Sequence, residues 1–214
     1  IELEKYREDH SNKLTFTIDP DDAKDYDDAL SFEKNSDDEM EVGVHIADVS
    51  HYVKSKTELD KEAFYRATSV YLADRVVPML PERLSNDLCS LNPKEKKNVF
   101  SVFFVFSKNH KIKNIRFCKS LIVSDERFSY EEVQHVIENK ESKIPAEKTI
   151  VGKEKKVSKK LFNSIKQLYL ISKSLKKERE DKGSIFFNKE EVRFNVDNHG
   201  NPIGFKIKKQ KEAN

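Results

Sequence analysis

Cysteine is nearly absent from this 214-residue chain: Cys89 and Cys118 are the only two, they lie far apart, and they form no CxxC pair. A disulfide framework and a zinc knuckle are thereby excluded, and reduced thiols in a cytoplasmic protein are the simpler reading. No apolar run approaches the roughly 18 residues of a membrane span, so no membrane partner is expected. The opening residues Ile1-Glu2-Leu3-Glu4-Lys5 carry neither the apolar stretch of a secretory leader nor an initiating Met. They read as the edge of a soluble piece of a longer protein. No internal repeat is evident. Apolar and charged residues each make up 36% of the chain and the mean hydropathy is -0.76, yet 14 Phe and 7 Tyr supply core material, so wholesale disorder is not expected.

The net charge of +2 conceals two poles. Residues 1–50 hold 5 Lys/Arg against 16 Asp/Glu, whereas residues 151–214 hold 17 against 8. An acidic pole and a basic pole in one chain suit a metal site beside a polyanion-binding surface. A lysine-rich solvated face is the plainer alternative.

Alternation and β-branched content predict strands at Leu14–Ile18, Ala29–Glu33 and Met40–Asp48. Glu58–Val70 has helical spacing, with Leu59, Ala63, Phe64 and Ala67 on one side. Val99–Phe106 and Ile112–Val123 read as a long hairpin in the core. Ser129 followed by Glu132 is a capping box that opens a helix reaching Glu138. Residues 139–157 are polar and read as a mobile loop. Leu161, Ile165, Leu168, Ile171 and Leu175 place a long helix over Ser158–Asp181, ended by Lys182-Gly183. Two further strands are expected from Ser184-Ile185-Phe186-Phe187 onward and over Pro202–Ile207, before a lysine-rich stretch that resembles the start of another helix. The fold class is mixed α/β (α+β), with antiparallel strand pairs and packed helices rather than regular βαβ units.

The most informative stretch is Asp19-Pro20-Asp21-Asp22-Ala23-Lys24-Asp25-Tyr26-Asp27-Asp28, with six Asp in ten residues directly after an apolar strand. So many carboxylates repel one another unless solvated or neutralised by cations. A solvated acidic surface loop is the bland reading. Its position between two strands and its admixture of Pro20, Ala23 and Tyr26 argue against that. An EF-hand is excluded by spacing, since the fifth and sixth positions counted from Asp19 are Ala23 and Lys24. Hard oxygen donors without His or Cys suit Mg²⁺, with Mn²⁺ as a substitute, and such a site suits phosphodiester chemistry.

These residues also carry a resemblance. Thr17 through Leu30, then Val42-Gly43-Val44-His45-Ile46-Ala47-Asp48-Val49-Ser50-His51-Tyr52-Val53, then Ser69 through Pro93 resemble, in order, the signature blocks of the RNB exoribonucleases, the family of RNase II and RNase R. The resemblance is nearer to RNase R and weakest over residues 139–181. It implies a 3′→5′ hydrolytic exoribonuclease that degrades single-stranded RNA from its 3′ end to nucleoside 5′-monophosphates. It further implies Asp27 and Asp25 as catalytic residues and Asp19, Asp25 and Asp28 as ligands of Mg²⁺. Tyr71, Tyr130 and either Phe186 or Phe187 match aromatics that stack on RNA bases, while Asp21 and Asp22 are extra, solvated acids. Under this resemblance residues 1–214 are the N-terminal portion of an RNB catalytic domain. Residues 1–13 form a lead-in, the domain is truncated at its C-terminus, and no cold-shock or S1 domain is present. Because the family's later Arg-rich segment and a downstream Glu are missing, a catalytically incomplete fragment that binds metal or RNA without turnover is the alternative. An Asp-based phosphatase is a weaker third reading, since no matching Lys or Thr arrangement surrounds Asp19. His45 and His51 are expected to be structural or near phosphate, and Cys89 to be buried packing.

Overall fold

A computed structural model describes residues 6–35, 38–72, 75–186, 190–197, 201–209 and 211–213. In chain order the elements are β1 (Glu8–Asp9), β2 (Thr15–Asp19), β3 (Asp28–Lys34), β4 (Met40–Ala47), α1 (Glu58–Arg66), β5 (Val70–Tyr71) and β6 (Val76–Val77). After a π-helical stretch at Arg83–Leu88 come β7 (Lys96–Phe106), β8 (Ile112–Val123), β9 (Glu126–Ser129), α2 (Tyr130–Glu138), β10 (Lys143–Ile144), β11 (Lys155–Lys156), α3 (Lys159–Asp181), β12 (Glu190–Val196) and β13 (Pro202–Lys209).

Seven strands form one sheet in the order β1-β8-β7-β4-β3-β2-β9. Its interior pairings are antiparallel, as expected, but both edges are parallel: β1 runs with β8 and β9 runs with β2. The long β7–β8 hairpin is the centre of the predicted core, and its two strands come where the alternation placed them. β7 begins three residues earlier than expected because Lys97 and Asn98 continue the pairing, opposite Ile122 and Leu121.

α2 and α3 pack on one face of the sheet. Ser129 caps α2 by accepting from the Glu132 N–H, while the Glu132 carboxylate accepts from the Ser129 N–H, which completes the predicted capping box. Ser158 caps α3 in the same way by accepting from Leu161, and Gly183 adopts φ 89° just past its end. Val133 and Val136 of α2 and Leu161 and Ile165 of α3 close over Phe16 of β2 and Phe128 of β9. Those two rings meet edge to face at 5.9 Å and are fully buried, worth roughly 2–3 kcal/mol each in removed apolar surface. A second cluster beneath the acidic loop joins Tyr26, Ala29, Cys89, Leu91, Val99 and Ile122.

Five expectations are corrected. The helix at 58 ends at Arg66 rather than Val70, because Ala67 takes φ 63°; nothing in α1 is buried, and Phe64 faces solvent. Residues 139–157 are not a bare loop: β10 and β11 pair, and Ile144 and Val157 are buried against α2 and α3. The strand expected from Ser184 begins at Glu190, and β13 extends to Lys209, where a helix start was expected. Of the expected lead-in over residues 1–13, the described part from residue 6 onward is more than that, since β1 joins the sheet and Arg7 is buried, with its Nη2 2.5 Å from Asp48 Oδ2.

Candidate active site

Two strands deliver the acidic loop. β2 ends on Asp19, in register with Ser129 of β9, and β3 begins on Asp28, opposite Ile46 of β4. Between them Tyr26 is the anchor. Its N–H donates to Ser90 Oγ at 3.0 Å, its carbonyl accepts from the Leu91 N–H at 2.8 Å, and its hydroxyl donates to the Ala23 carbonyl at 3.2 Å. The Asp27 carbonyl accepts from the Ala47 N–H at 2.9 Å, which ties the return of the loop to the end of β4. Arg127 of β9 donates through Nη2 to the carbonyls of Pro20, Asp21 and Ala23 at 3.1, 3.0 and 3.3 Å, and its guanidinium lies over the Tyr26 ring at 4.7 Å.

The carboxylates on this frame are electrostatically uncomfortable. Burial raises the Asp19 carboxyl to about 6; the charges of Asp28 and Asp27 add to the rise, and Thr17 and Arg127 oppose it. Asp19 Oδ2 is buried and has no hydrogen-bond partner. Asp27 and Asp28 are exposed, with part of their hydration lost to the surrounding protein. Partial dehydration raises both, and the charges of Asp25 and Asp28 push Asp27 further. Tyr130, at the start of α2, has its phenol raised by burial and then by the charges of Asp19 and Asp28. Asp28 and Tyr130 also share the wall of an open cavity of ≈ 430 Å³, otherwise largely apolar and bordered by Ile18, Leu30, Val44 and Val133.

The fold therefore gathers Asp19, Asp25, Asp27, Asp28 and Tyr130 in one electrostatic neighbourhood. It does not close the aspartates to metal-ligand spacing. Among the described residues the one set of three His, Cys, Asp or Glu ligand atoms within 4.8 Å of one another is Glu8, His10 and Cys118. That trio is already neutralised, because Arg116 Nη1 lies 2.7 Å from each oxygen of Glu8. A divalent cation fits the aspartate set on chemical grounds. The donors are hard oxygens, one of them is buried without a partner, and burial raises the neighbouring acids, with the charges of Asp25 and Asp28 adding to the rise at Asp27.

The other expected site residues are dispersed. Tyr71 is exposed on β5, and Phe186 lies beneath the Lys176 and Arg179 cations of α3; neither lines the cavity shared by Asp28 and Tyr130. Phe187 lies outside the described residues. Asp21 and Asp22 are exposed, and Cys89 is buried. His45 is fully buried on the sheet face opposite Asp28, with Nδ1 2.7 Å from Ser101 Oγ and Nε2 3.0 Å from Ser31 Oγ. Arg127 was not among the expected site residues. Its only signal in the sequence is a lone arginine at the foot of the capping box, more than a hundred residues from the loop it holds.

Residues 7–214 match the RNB domain family model. The chain belongs to the RNB-domain family. It is 43% identical over 211 residues to DIS3-like exonuclease 2 of Schizosaccharomyces pombe, covering 98% of this chain and 22% of that protein. It is 41% identical over 198 residues to Ribonuclease R 2 of Lactococcus lactis, covering 92% of this chain and 29% of that protein. The solved structure of Mycoplasma genitalium RNase R in complex with ribose-methylated single-stranded RNA superposes with a TM-score of 0.86 at 33% identity, covering 98% of this chain and 31% of that one. The chain thus spans between about a fifth and a third of the length of these proteins. The RNB-domain match takes in every element of the aspartate site, from β2 through α2.

Proposed function

We propose that this RNB-domain chain carries the metal-binding part of a 3′→5′ exoribonuclease active site. The protein containing it shortens single-stranded RNA hydrolytically and releases nucleoside 5′-monophosphates. The observation that carries this reading is the buried, unpartnered Oδ2 of Asp19 set among the raised carboxyls of Asp27 and Asp28 in an RNB fold. Asp19, Asp25 and Asp28 would hold Mg²⁺, with Mn²⁺ as a substitute. Bound cations of this kind acidify water and stabilise the attacking and leaving oxygens of a phosphodiester displacement. Asp27, with Asp25 beside it, orients the attacking water and accepts its proton, and a raised carboxyl suits that role near neutral pH. The resemblance gives the 3′-terminal nucleotide to Tyr71 and a stacked base to Tyr130, which stands in the wall of the cavity beside Asp28. Phe186 or Phe187 would stack on a further base, each contact worth roughly 1–3 kcal/mol and indifferent to sequence. The same reading places the protein in the cytoplasm; no helix among the described residues is long and apolar enough to cross a membrane.

The test is a time course on 5′-labelled single-stranded RNA in Mg²⁺ or EDTA, with the wild type and Asp27→Asn in the full-length polypeptide. Stepwise 3′ shortening that needs Mg²⁺ and falls about 10²–10⁴-fold in the variant, with RNA binding retained, is the expected outcome. Undiminished cleavage by Asp27→Asn, or none by the wild type, would overturn the assignment.

A further inference from the structure

We infer that Arg127 is the positioning residue of the metal site: its guanidinium fixes the path of the aspartate loop through backbone carbonyls and so does not occupy the carboxylates of Asp19, Asp25, Asp27 and Asp28. This rests on the reading of the aspartates as a divalent-metal site.

The argument begins with what Arg127 avoids. An arginine beside six aspartates would ordinarily form a bidentate pair with one of them. Among the described residues Arg127 donates only to carbonyls, those of Pro20, Asp21 and Ala23, all from the one nitrogen Nη2. Its Nε is buried without a partner, as is Asp19 Oδ2. Two opposite, buried and unsatisfied groups therefore coexist in one neighbourhood without pairing. The loop geometry holds the guanidinium on the backbone side, where it turns three carbonyls inward and covers the Tyr26 ring. Tyr26 is in turn bolted to Ser90 and Leu91, and Asp25, Asp27 and Asp28 lie within two residues of it. A carboxylate pair with Arg127 would occupy a metal ligand, whereas a carbonyl clamp does not. β9 supplies the rigid support, because Arg127 stands opposite Thr17 in a strand whose pairing continues to Asp19 and Ser129.

Electrostatics alone predicts the opposite consequence of removing Arg127. A cation beside the site repels Mg²⁺ or Mn²⁺, so a neutral replacement should tighten metal binding if position were irrelevant. The measurement is Mn²⁺ affinity by electron paramagnetic resonance, on metal-free full-length protein without RNA, for the wild type, Arg127→Met and Arg127→Lys. Loss of the clamp should weaken Mn²⁺ binding about 10–100-fold in Arg127→Met, the range seen when a group that orients metal ligands is removed. Arg127→Lys should recover much of the affinity lost in Arg127→Met, because the three N–H donors of an ammonium can meet the same carbonyls although it cannot cover the Tyr26 ring. Unchanged or tighter binding by a folded Arg127→Met would overturn the inference, as would an Arg127→Lys protein that binds as poorly as the Met variant. If Arg127→Met does not fold, rescue by Arg127→Lys still decides. A wild type that binds no Mn²⁺ would overturn the metal-site reading and this inference together, whereas a binding wild type with an indifferent Arg127→Met overturns this inference alone.

Discussion

Asp19 and Asp48 are both buried carboxylates at the ends of paired strands, and their surroundings could hardly differ more. Asp48 is closed on both sides: Arg7 Nη2 reaches Oδ2 at 2.5 Å and Ser50 Oγ donates to Oδ1 at 2.5 Å. Burial alone would raise its carboxyl, but the Ser50 and Arg7 hydrogen bonds outweigh it and the group lies below the ordinary range. Asp19 has an oxygen with no partner and is pushed up to about 6. The region around Asp48 extends the same closure inward. Arg7 also donates to the carbonyls of Val99 and Ser120, and Ser120 Oγ donates to Ser101 Oγ, which in turn meets His45. A fold that satisfies one buried acid so thoroughly has the means to satisfy the other. The unfinished one is where the proposed cation would complete the structure.

Opening the closed end should have the largest effect. Arg7→Met takes the close cation from buried Asp48 and leaves it only the Ser50 hydroxyl and the Lys119 ammonium at 3.9 Å, and the expected loss is about 3 kcal/mol of unfolding free energy by urea titration. A loss under about 1 kcal/mol would mean that water reaches Asp48 and that the contrast with Asp19 is false.

Closing the open end should act in the opposite direction. In EDTA at pH 7.5, Asp19→Asn removes a buried charge and is expected to stabilise the chain by up to about 3 kcal/mol, given a carboxyl raised from 3.8 to about 6. The sign with pH follows from the raised value. Below pH 3.8 Asp19 is protonated in folded and unfolded chains alike, and the variant has no advantage. Between pH 3.8 and about 6 the unfolded wild type releases its proton while the folded one keeps it, so the advantage of the variant grows over that window and levels off above it. Mg²⁺ at pH 7.5 should raise the melting temperature of the wild type and leave that of Asp19→Asn unmoved. A stabilised wild type with an equally responsive variant would remove Asp19 from the metal site.

Much of this was legible in the sequence where the causes are local. The alternation in Val99–Phe106, the Ser129–Glu132 pair and the three- and four-residue spacing from Leu161 to Leu175 each describe a short stretch, and each element formed where it was expected. The acidic loop was legible for the same reason. The misses have distant causes. Arg7 finds Asp48 across 41 positions, and Arg127 finds Pro20 across 107. Nothing adjacent to either arginine announces its partner. Residues 139–157 looked unstructured because their apolar content is confined to Ile144, Ile150, Val151, Val157 and a few small residues, yet Ile144 and Val157 alone suffice to pin the segment against α2 and α3. α1 failed the other way: its apolar spacing was real, but no core surface faces it, and Phe64 and Tyr65 stay exposed.

The smallest expected effect tests whether the closed region is indifferent to catalysis. Gly43 lies on β4 two residues before His45, and a Cβ there would stand 2.3 Å from Ser31 Oγ and 2.7 Å from His45 Nε2. Its backbone is ordinary strand opposite Ser31, so the constraint is space and not conformation. Gly43→Ala must therefore push the Ser31 hydroxyl off the imidazole or tilt the ring away from Ser101, and either movement leaves a buried polar atom short of a partner. Overpacking of this kind costs about 1–3 kcal/mol. His45 sits on the face opposite Asp28, so in Mg²⁺ the rate of RNA shortening at 25 °C should stay within about twofold of the wild type, a difference of less than 0.5 kcal/mol in the barrier. A variant with native stability would show that Ser31 swings clear at no cost. One that keeps its stability margin yet loses activity would show that the two faces of the sheet are coupled through β3, and the division between a closed and an open end would have to be redrawn.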